Sequence, residues 1–267
     1  MNWMKKVAVA LVCLLPLGLQ AAKVDTLQVK SPSMNKSIEV VVVSPDVAAT
    51  KACPVIYLLH GYGGNARTWV GIKPDLSKIA DEKGIFFVCP DGKNTWYWDS
   101  PLNADVRYET FISDELVKYV DSHYKTVADR KGRAITGLSM GGHGAMWNGL
   151  RHSDVFSAAG STSGGVDIRP FPKNWEMSVQ IGEKAKYPEN WEKYTVINLV
   201  PTLRKDQIAL IFDCGDSDFF LEVNKNYHEA LLKQGIDHDF ITRPGNHDSQ
   251  YWLSLIHISE PTRRSYI

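Results

Sequence analysis

The sequence predicts an α/β fold in which a mostly parallel central sheet carries helices on both faces. Three observations predict it. Short apolar runs of strand length alternate with longer stretches of helical character. The run Arg133–Thr136 leads straight into a serine flanked by glycines, and a helix-competent stretch follows. A second glycine-rich turn, Gly61–Gly64, follows the first buried run. Strands that alternate with helices imply right-handed crossovers, and hence parallel neighbours buried on both sides.

Taken in order, Ser37–Ser44 reads as an early strand, expected to be antiparallel, because it packs β-branched residues into one short run. Val55–Leu59, Ile85–Cys89, Arg133–Thr136 and Ile208–Asp213 read as buried strands, with Phe156–Ser161 as a further candidate. Between them Asp75–Glu82, Tyr108–His123, Gly144–His152 and Glu222–Gln234 read as helices. Within Tyr108–His123, Phe111, Ile112, Leu116, Val117 and Val120 fall on one helix face. Ser161–Lys205 breaks the rhythm, with Trp175, Trp191 and scattered prolines and charges. A segment of that length between strands is expected to be a lid or an elaborated crossover.

The 267 residues, 44% of them hydrophobic, suffice for one sizeable core, and residues 23–253 are expected to form a single domain. Thirty basic and thirty acidic side chains balance, which argues against nucleic acid or an anionic membrane as main partner. At the start, Lys5 and Lys6 precede the uncharged run Val7–Leu19 and the small residues Ala21 and Ala22. That pattern reads as a secretory signal over residues 1–22, cleaved near Ala21/Ala22, and gives a secreted or periplasmic protein with no membrane insertion thereafter. Cys13 lies within the run, but Val12 before it fits a lipidation box poorly. Cys53, Cys89 and Cys214 remain; an odd number beside buried strands implies no disulfide framework.

The chemistry is concentrated in Gly137-Leu138-Ser139-Met140-Gly141, a G-x-S-x-G pattern. Such a serine rides a sharp strand-to-helix turn, and glycines two residues either side remove the Cβ atoms that would clash. A serine hydroxyl becomes a strong nucleophile only when a base takes its proton, and that base needs a carboxylate to fix its tautomer. The chain order serine, acid, histidine predicts an acid after a late strand and a histidine in a late loop. Asp213, Asp216 and Asp218 all lie near the end of the Ile208 strand, and sequence order alone leaves the three open. His247, in the turn Arg243–Asp248, is the candidate base. His143, on the helix after Ser139, is expected to be structural, while His123, His152, His228 and His238 have ordinary packing explanations.

Acyl transfer also needs two donors aimed at the oxyanion; the backbone N–H groups of Tyr62 and Met140 are the candidates. Trp96 and Trp98, in the loop after Pro90-Asp91-Gly92, are candidates for substrate binding, with plain packing as the alternative. His60 is a third such candidate, although it is also placed to brace the glycine loop. Gly61-x-Gly63-x-x-Ala66 loosely matches a dinucleotide fingerprint, but Asp81 precedes the second strand instead of ending it, so no nucleotide cofactor is expected. Neither H-E-x-x-H nor paired cysteines occur, and no metal is expected.

Leu59–Gly64, Thr136–Gly142, Cys214-Gly215-Asp216-Ser217-Asp218-Phe219 and Pro244-Gly245-Asn246-His247-Asp248, in this order, resemble the esterase D-like α/β-hydrolases. That group includes feruloyl and acetyl-xylan esterases, S-formylglutathione hydrolases, tributyrin esterases and the antigen 85 mycolyltransferases. The resemblance covers roughly Val40 to Trp252. It implies the α/β-hydrolase fold and a Ser139–His247–Asp218 triad, since the family's acid stands just before an aromatic residue. It also supports Tyr62 and Met140 as oxyanion donors. The implied function is that of a secreted serine esterase hydrolysing short-chain or aromatic acyl esters, such as feruloyl or acetyl groups on plant polysaccharide. Acyl transfer to a sugar or lipid alcohol, thioester hydrolysis, and a non-catalytic carbohydrate-binding relic are the alternatives; the oligomeric state is open. Where the family continues with a closing amphipathic helix, this chain has Ser254–Arg264, interrupted by Pro261. It resembles translated adapter sequence, so residues 254–267 are expected to be a non-native or disordered tail.

Overall fold

The computed structural model describes residues 22–253, so the expectations for the leader and for the tail beyond residue 253 lie outside the described residues. Eight strands form one sheet: β1 (Lys23–Ser31), β2 (Lys36–Ser44), β3 (Val55–Leu59), β4 (Phe86–Pro90), β5 (Arg133–Gly137), β6 (Ala158–Thr162), β7 (Ala209–Gly215) and β8 (Asp239–Arg243). Their spatial order is β1-β2-β4-β3-β5-β6-β7-β8. The β1–β2 and β2–β4 pairs are antiparallel, and every pair from β4 to β8 is parallel. Strands β3 and β4 are buried at every position, as strands covered on both faces must be.

The helices are α1 (Thr68–Ile72), α2 (Leu76–Lys83), α3 (Tyr108–Thr110), α4 (Leu116–His123), α5 (Met140–Arg151), α6 (Met177–Ile181), α7 (Pro188–Lys193), α8 (Leu221–Gln234) and α9 (Ser249–Leu253). A π-helical turn, Phe111–Glu115, joins α3 to α4, so the expected Tyr108–His123 helix exists with one widened turn. Its apolar face is buried as its periodicity required: Phe111, Ile112, Leu116, Val117 and Val120 all lie in the core. One hydrophobic cluster holds this helix, α5, α8 and the long crossover; the other packs Trp69, Leu76 and Ala80 against the opposite face of β2 to β4.

Two strands escape the sequence reading. β1 alternates, with Asp25, Leu27, Val29 and Ser31 on its more buried face, so no apolar run marks it. β8 is an edge strand with charged ends and no fully buried position. The 161–205 segment is an elaborated crossover from β6 to β7, carrying α6, α7 and a 3₁₀ stretch, Val196–Thr202. It is anchored by buried Val166, Ile168, Met177, Ile181 and Trp191. Asp81, the decoy acid, sits on α2 and accepts hydrogen bonds from the Ala22 and Asp46 amides. Cys53, Cys89 and Cys214 are free and buried. No described helix is long and apolar enough to cross a membrane.

Candidate active site

Parallel strands all end on one side of the sheet, and the loops there converge because the crossovers return the chain to the same edge. β5 ends at the nucleophile turn. Ser139 has φ 56° and ψ −118°, backbone that a side-chain-bearing residue adopts only under strain. The turn is held by the Ser139 amide donating to the Thr162 carbonyl at 2.9 Å and by the Gly141 amide donating to Leu138 at 2.7 Å. A Cβ on Gly137 would overlap the Gly141 carbonyl, and one on Gly141 would overlap the Leu59 carbonyl, so both positions demand glycine. Behind the turn, Glu109 accepts from Trp147 Nε1, Arg151 Nε and His152 Nε2 and fixes α5 against α3.

β7 delivers the acid. Asp218 follows in the turn into α8, where its side chain is fully buried. One carboxylate oxygen accepts the Phe220 amide at 2.8 Å, and the other faces His247 Nδ1 at 2.9 Å. A carboxylate only accepts, so Nδ1 carries the proton and Nε2 is left as an acceptor. His247 Nε2 lies 2.8 Å from Ser139 Oγ. The imidazole is thus presented to the hydroxyl as a base, and side chains 108 and 29 residues apart in sequence meet in one relay. Asp216 plays a different part: it is exposed, and it accepts the Gly245 amide at 3.2 Å while its own amide donates to Arg243. That cross-tie, with the Ser217 amide donating to Gly245, fastens the His247 loop to the acid turn.

The glycine loop after β3 runs beside this relay; a Cβ on Gly61 would stand 3.4 Å from the Ser139 Cβ. The carbonyl of Gly61 accepts from His60 Nδ1 at 2.7 Å and from the Gly64 amide at 3.0 Å. In a trans peptide the N–H points opposite to the carbonyl, so this grip aims the Tyr62 N–H away from His60. Among the described residues no acceptor takes the Tyr62 or the Met140 amide proton.

The expected substrate-binding role of His60, Trp96 and Trp98 is corrected by their surroundings. His60 is 1% exposed and has both ring nitrogens engaged, Nε2 accepting the Gly92 amide at 2.9 Å. It braces the loop. Trp96 and Trp98 are also buried and stack on each other at 5.6 Å. Trp98 Nε1 donates to His143 Nε2, and Trp96 Nε1 donates to the Trp175 carbonyl. They are core, because a loop with Trp96 and Tyr97 in left-handed backbone turns these rings inward. His143, between them, donates through Nδ1 to Gly165, and burial lowers its pKa to about 4, so it stays neutral.

Comparison with known proteins gives the family. Residues 31–259 match the Esterase family, described as "Putative esterase". The chain belongs to that family. The acetyl esterase of Caldicellulosiruptor saccharolyticus is 26% identical to this esterase over 219 residues, covering 75% of this chain and 79% of that protein. Mouse (Mus musculus) S-formylglutathione hydrolase is 22% identical, covering 79% and 82%. A solved ferulic acid esterase superposes with a TM-score of 0.76 at 30% identity, over 91% of this chain and 98% of that one. The sheet order and these neighbours establish an α/β-hydrolase fold, and the family establishes a serine ester hydrolase.

The esterase surrounds His247 with aromatic residues that the sequence reading did not select. The Phe219 ring lies 4.3 Å from the imidazole, Trp252 lies at 5.1 Å, and Trp175 stacks on Phe219 at 5.4 Å. Phe219 is 50% exposed, so one part of its ring is open to solvent while another packs on His247 and Trp175. Its place directly after Asp218 was visible in the motif. Trp175, in an aperiodic crossover, carried no signal.

Beneath the relay, Asp213 is 3% exposed, accepts from Thr162 Oγ1 at 3.0 Å, and is pushed by burial up to about 7. The folded state therefore holds this proton more tightly than the unfolded chain, whose carboxyl titrates near about 4. That preference is complete below the unfolded value and is lost as pH rises through the folded one. Asp213→Asn, which does not titrate, is expected to raise the melting temperature relative to wild type more at pH 8 than at pH 4. Equal differences at the two pH values in thermal unfolding would refute the assignment.

Proposed function

We propose that the protein is a secreted carboxylesterase in which Ser139 attacks the ester carbonyl. His247 takes the hydroxyl proton at Nε2 and returns it to the departing alcohol. Asp218 holds His247 in the required tautomer and stabilises the imidazolium, and the amides of Tyr62 and Met140 receive the charge on the tetrahedral oxygen. Water, activated by the same imidazole, then releases the acid from the acyl-enzyme. The observation that carries this reading is the unbroken line of short contacts from Asp218 through His247 to Ser139 Oγ.

The aromatic residues around His247 favour an aromatic acyl group over acetyl, with feruloyl esters of plant polysaccharide as the preferred substrate class. A planar ring can stack on exposed Phe219 and on Trp175, contacts worth about 0.5–1.5 kcal/mol beyond simple burial. Similarity to a ferulic acid esterase supports the same choice. Hydrolysis of methyl ferulate, acetylated xylan and short triglycerides, compared by kcat/KM, tests it; a preference for acetyl esters would overturn the feruloyl assignment. Phe219→Ala is expected to raise KM for methyl ferulate by roughly tenfold, the equivalent of one aromatic contact, and to change p-nitrophenyl acetate hydrolysis less. Export rests on the basic, apolar and small-residue pattern of residues 1–22, and mass spectrometry of exported protein should find a new N-terminus near Ala22.

A further inference from the structure

Two strained loops meet beside the glycine turn, and their meeting has no part in the relay itself. Lys93, Trp96 and Tyr97 in the loop after β4 have φ of 48°, 57° and 60°; Trp175 and Glu176 in the crossover have 48° and 54°. Side-chain-bearing residues in this region cost about 1–3 kcal/mol each, and surrounding contacts must hold them there. The contacts are specific. Trp96 Nε1 donates to the Trp175 carbonyl at 3.1 Å, and Asn94 Nδ2 donates to the Glu176 carboxylate at 3.2 Å. Asn94 then turns its carbonyl oxygen to the glycine turn, accepting the Gly63 amide at 2.9 Å.

Consequently, both peptides flanking Tyr62 are gripped from outside. His60 holds the carbonyl of the 61–62 peptide, and Asn94 holds the N–H of the 62–63 peptide. Glu176 also faces the Tyr62 hydroxyl, and Trp175 reaches the other side of the centre through Phe219. We infer that Asn94 and Glu176 are positioning residues for the oxyanion loop, a latch by which the β6–β7 crossover keeps the Tyr62 amide aimed at the reacting carbonyl. This inference rests on the serine-esterase reading. Neither side chain needs to touch the substrate. Their effect is expected on the step where the oxyanion forms, because an amide that has drifted weakens the transition state more than it weakens binding of the ester.

The test exchanges the two functional groups. In Asn94→Asp the Gly63 acceptor survives, but two carboxylates face each other and the latch opens. Adding Glu176→Gln restores the contact with the donor reversed, the introduced amide on the crossover now donating to the introduced carboxylate on the β4 loop. Removal of a whole oxyanion donor costs roughly 10²–10³-fold in kcat, so a misaimed one is expected to cost about tenfold. N94D should therefore lose about tenfold in kcat on p-nitrophenyl acetate with KM nearly unchanged, and N94D/E176Q should recover to within about threefold of wild type. A double variant that is folded by circular dichroism and as slow as N94D overturns the inference, as does an N94D whose loss lies in KM. If N94D fails to fold, Glu176→Ala takes its place, since it removes the acceptor for Asn94 Nδ2 and leaves the Gly63 contact: about tenfold lower kcat with KM nearly unchanged is expected, and wild-type kcat in either single variant overturns the inference. Wild-type turnover that is absent, or that survives Ser139→Ala, would instead sink the esterase reading, so the two failures are distinguishable.

Discussion

Ser139→Ala is expected to lower kcat for p-nitrophenyl acetate by roughly 10⁵–10⁶-fold, the scale seen when a serine hydrolase loses its nucleophile. The reason is local. Oγ meets His247 Nε2, and no group within the relay can replace it as the attacking atom. In the proposed mechanism the remaining parts, the Tyr62 and Met140 amides and the aromatic surround, would still bind and polarise the ester but would form no acyl-enzyme. Because the turn is held by backbone bonds from Ser139 to Thr162 and from Gly141 to Leu138, the variant should melt at nearly the wild-type temperature. Steady-state assays with purified protein, together with a fluorophosphonate label that marks wild type and spares the variant, give the answer. Turnover within tenfold of wild type would mean that another group attacks.

The second large effect concerns Asp218. Asp218→Asn is expected to reduce kcat by about 10⁴-fold while leaving the fold in place, as the corresponding change does in other serine hydrolases. Asparagine can still accept the Phe220 amide through its oxygen, so the turn into α8 persists. Its amide nitrogen then faces His247 Nδ1 as a donor. The imidazole answers by carrying its proton on Nε2, toward Ser139 Oγ, and ceases to be a base for that hydroxyl. A loss under tenfold would show that the orienting carboxylate is another one. The two neighbouring carboxylates have other employment: Asp216 ties loops together from the surface, and Asp213 is buried at the end of β7 on Thr162.

The separation of those three carboxylates shows where the sequence ceased to be informative. Asp213, Asp216 and Asp218 lie within six positions, in or just after the same strand, so chain order treats them alike. The strand's pleat and the turn after it send one inward beneath the relay, one to the surface and one to His247. The family resemblance selected Asp218, and the coordinates supply the contact. Similarly, Trp96 and Trp98 stand in a loop, where aromatic side chains commonly serve ligands. The left-handed backbone at Trp96 and Tyr97 instead folds these rings under the crossover, and nothing in a single sequence announces that angle.

The buried strands were legible because a strand covered on both faces must be apolar throughout, and the Tyr108–His123 face because its spacing matches a helix turn. β1 and β8 were not, since edge strands need only one protected face and tolerate charge. By itself, the sequence determined an alternating α/β chain, a strained serine between two obligatory glycines, and the order in which nucleophile, acid and base follow. Those properties are local or depend only on order. The three-dimensional arrangement was needed to show the contact between Asp218 and His247, which the motif resemblance had only implied, the aromatics around His247, and the grip of Asn94 and Glu176 on the glycine turn. Each of these is a contact between residues far apart in the chain, and its existence depends on backbone angles that many sequences of the same pattern could set differently.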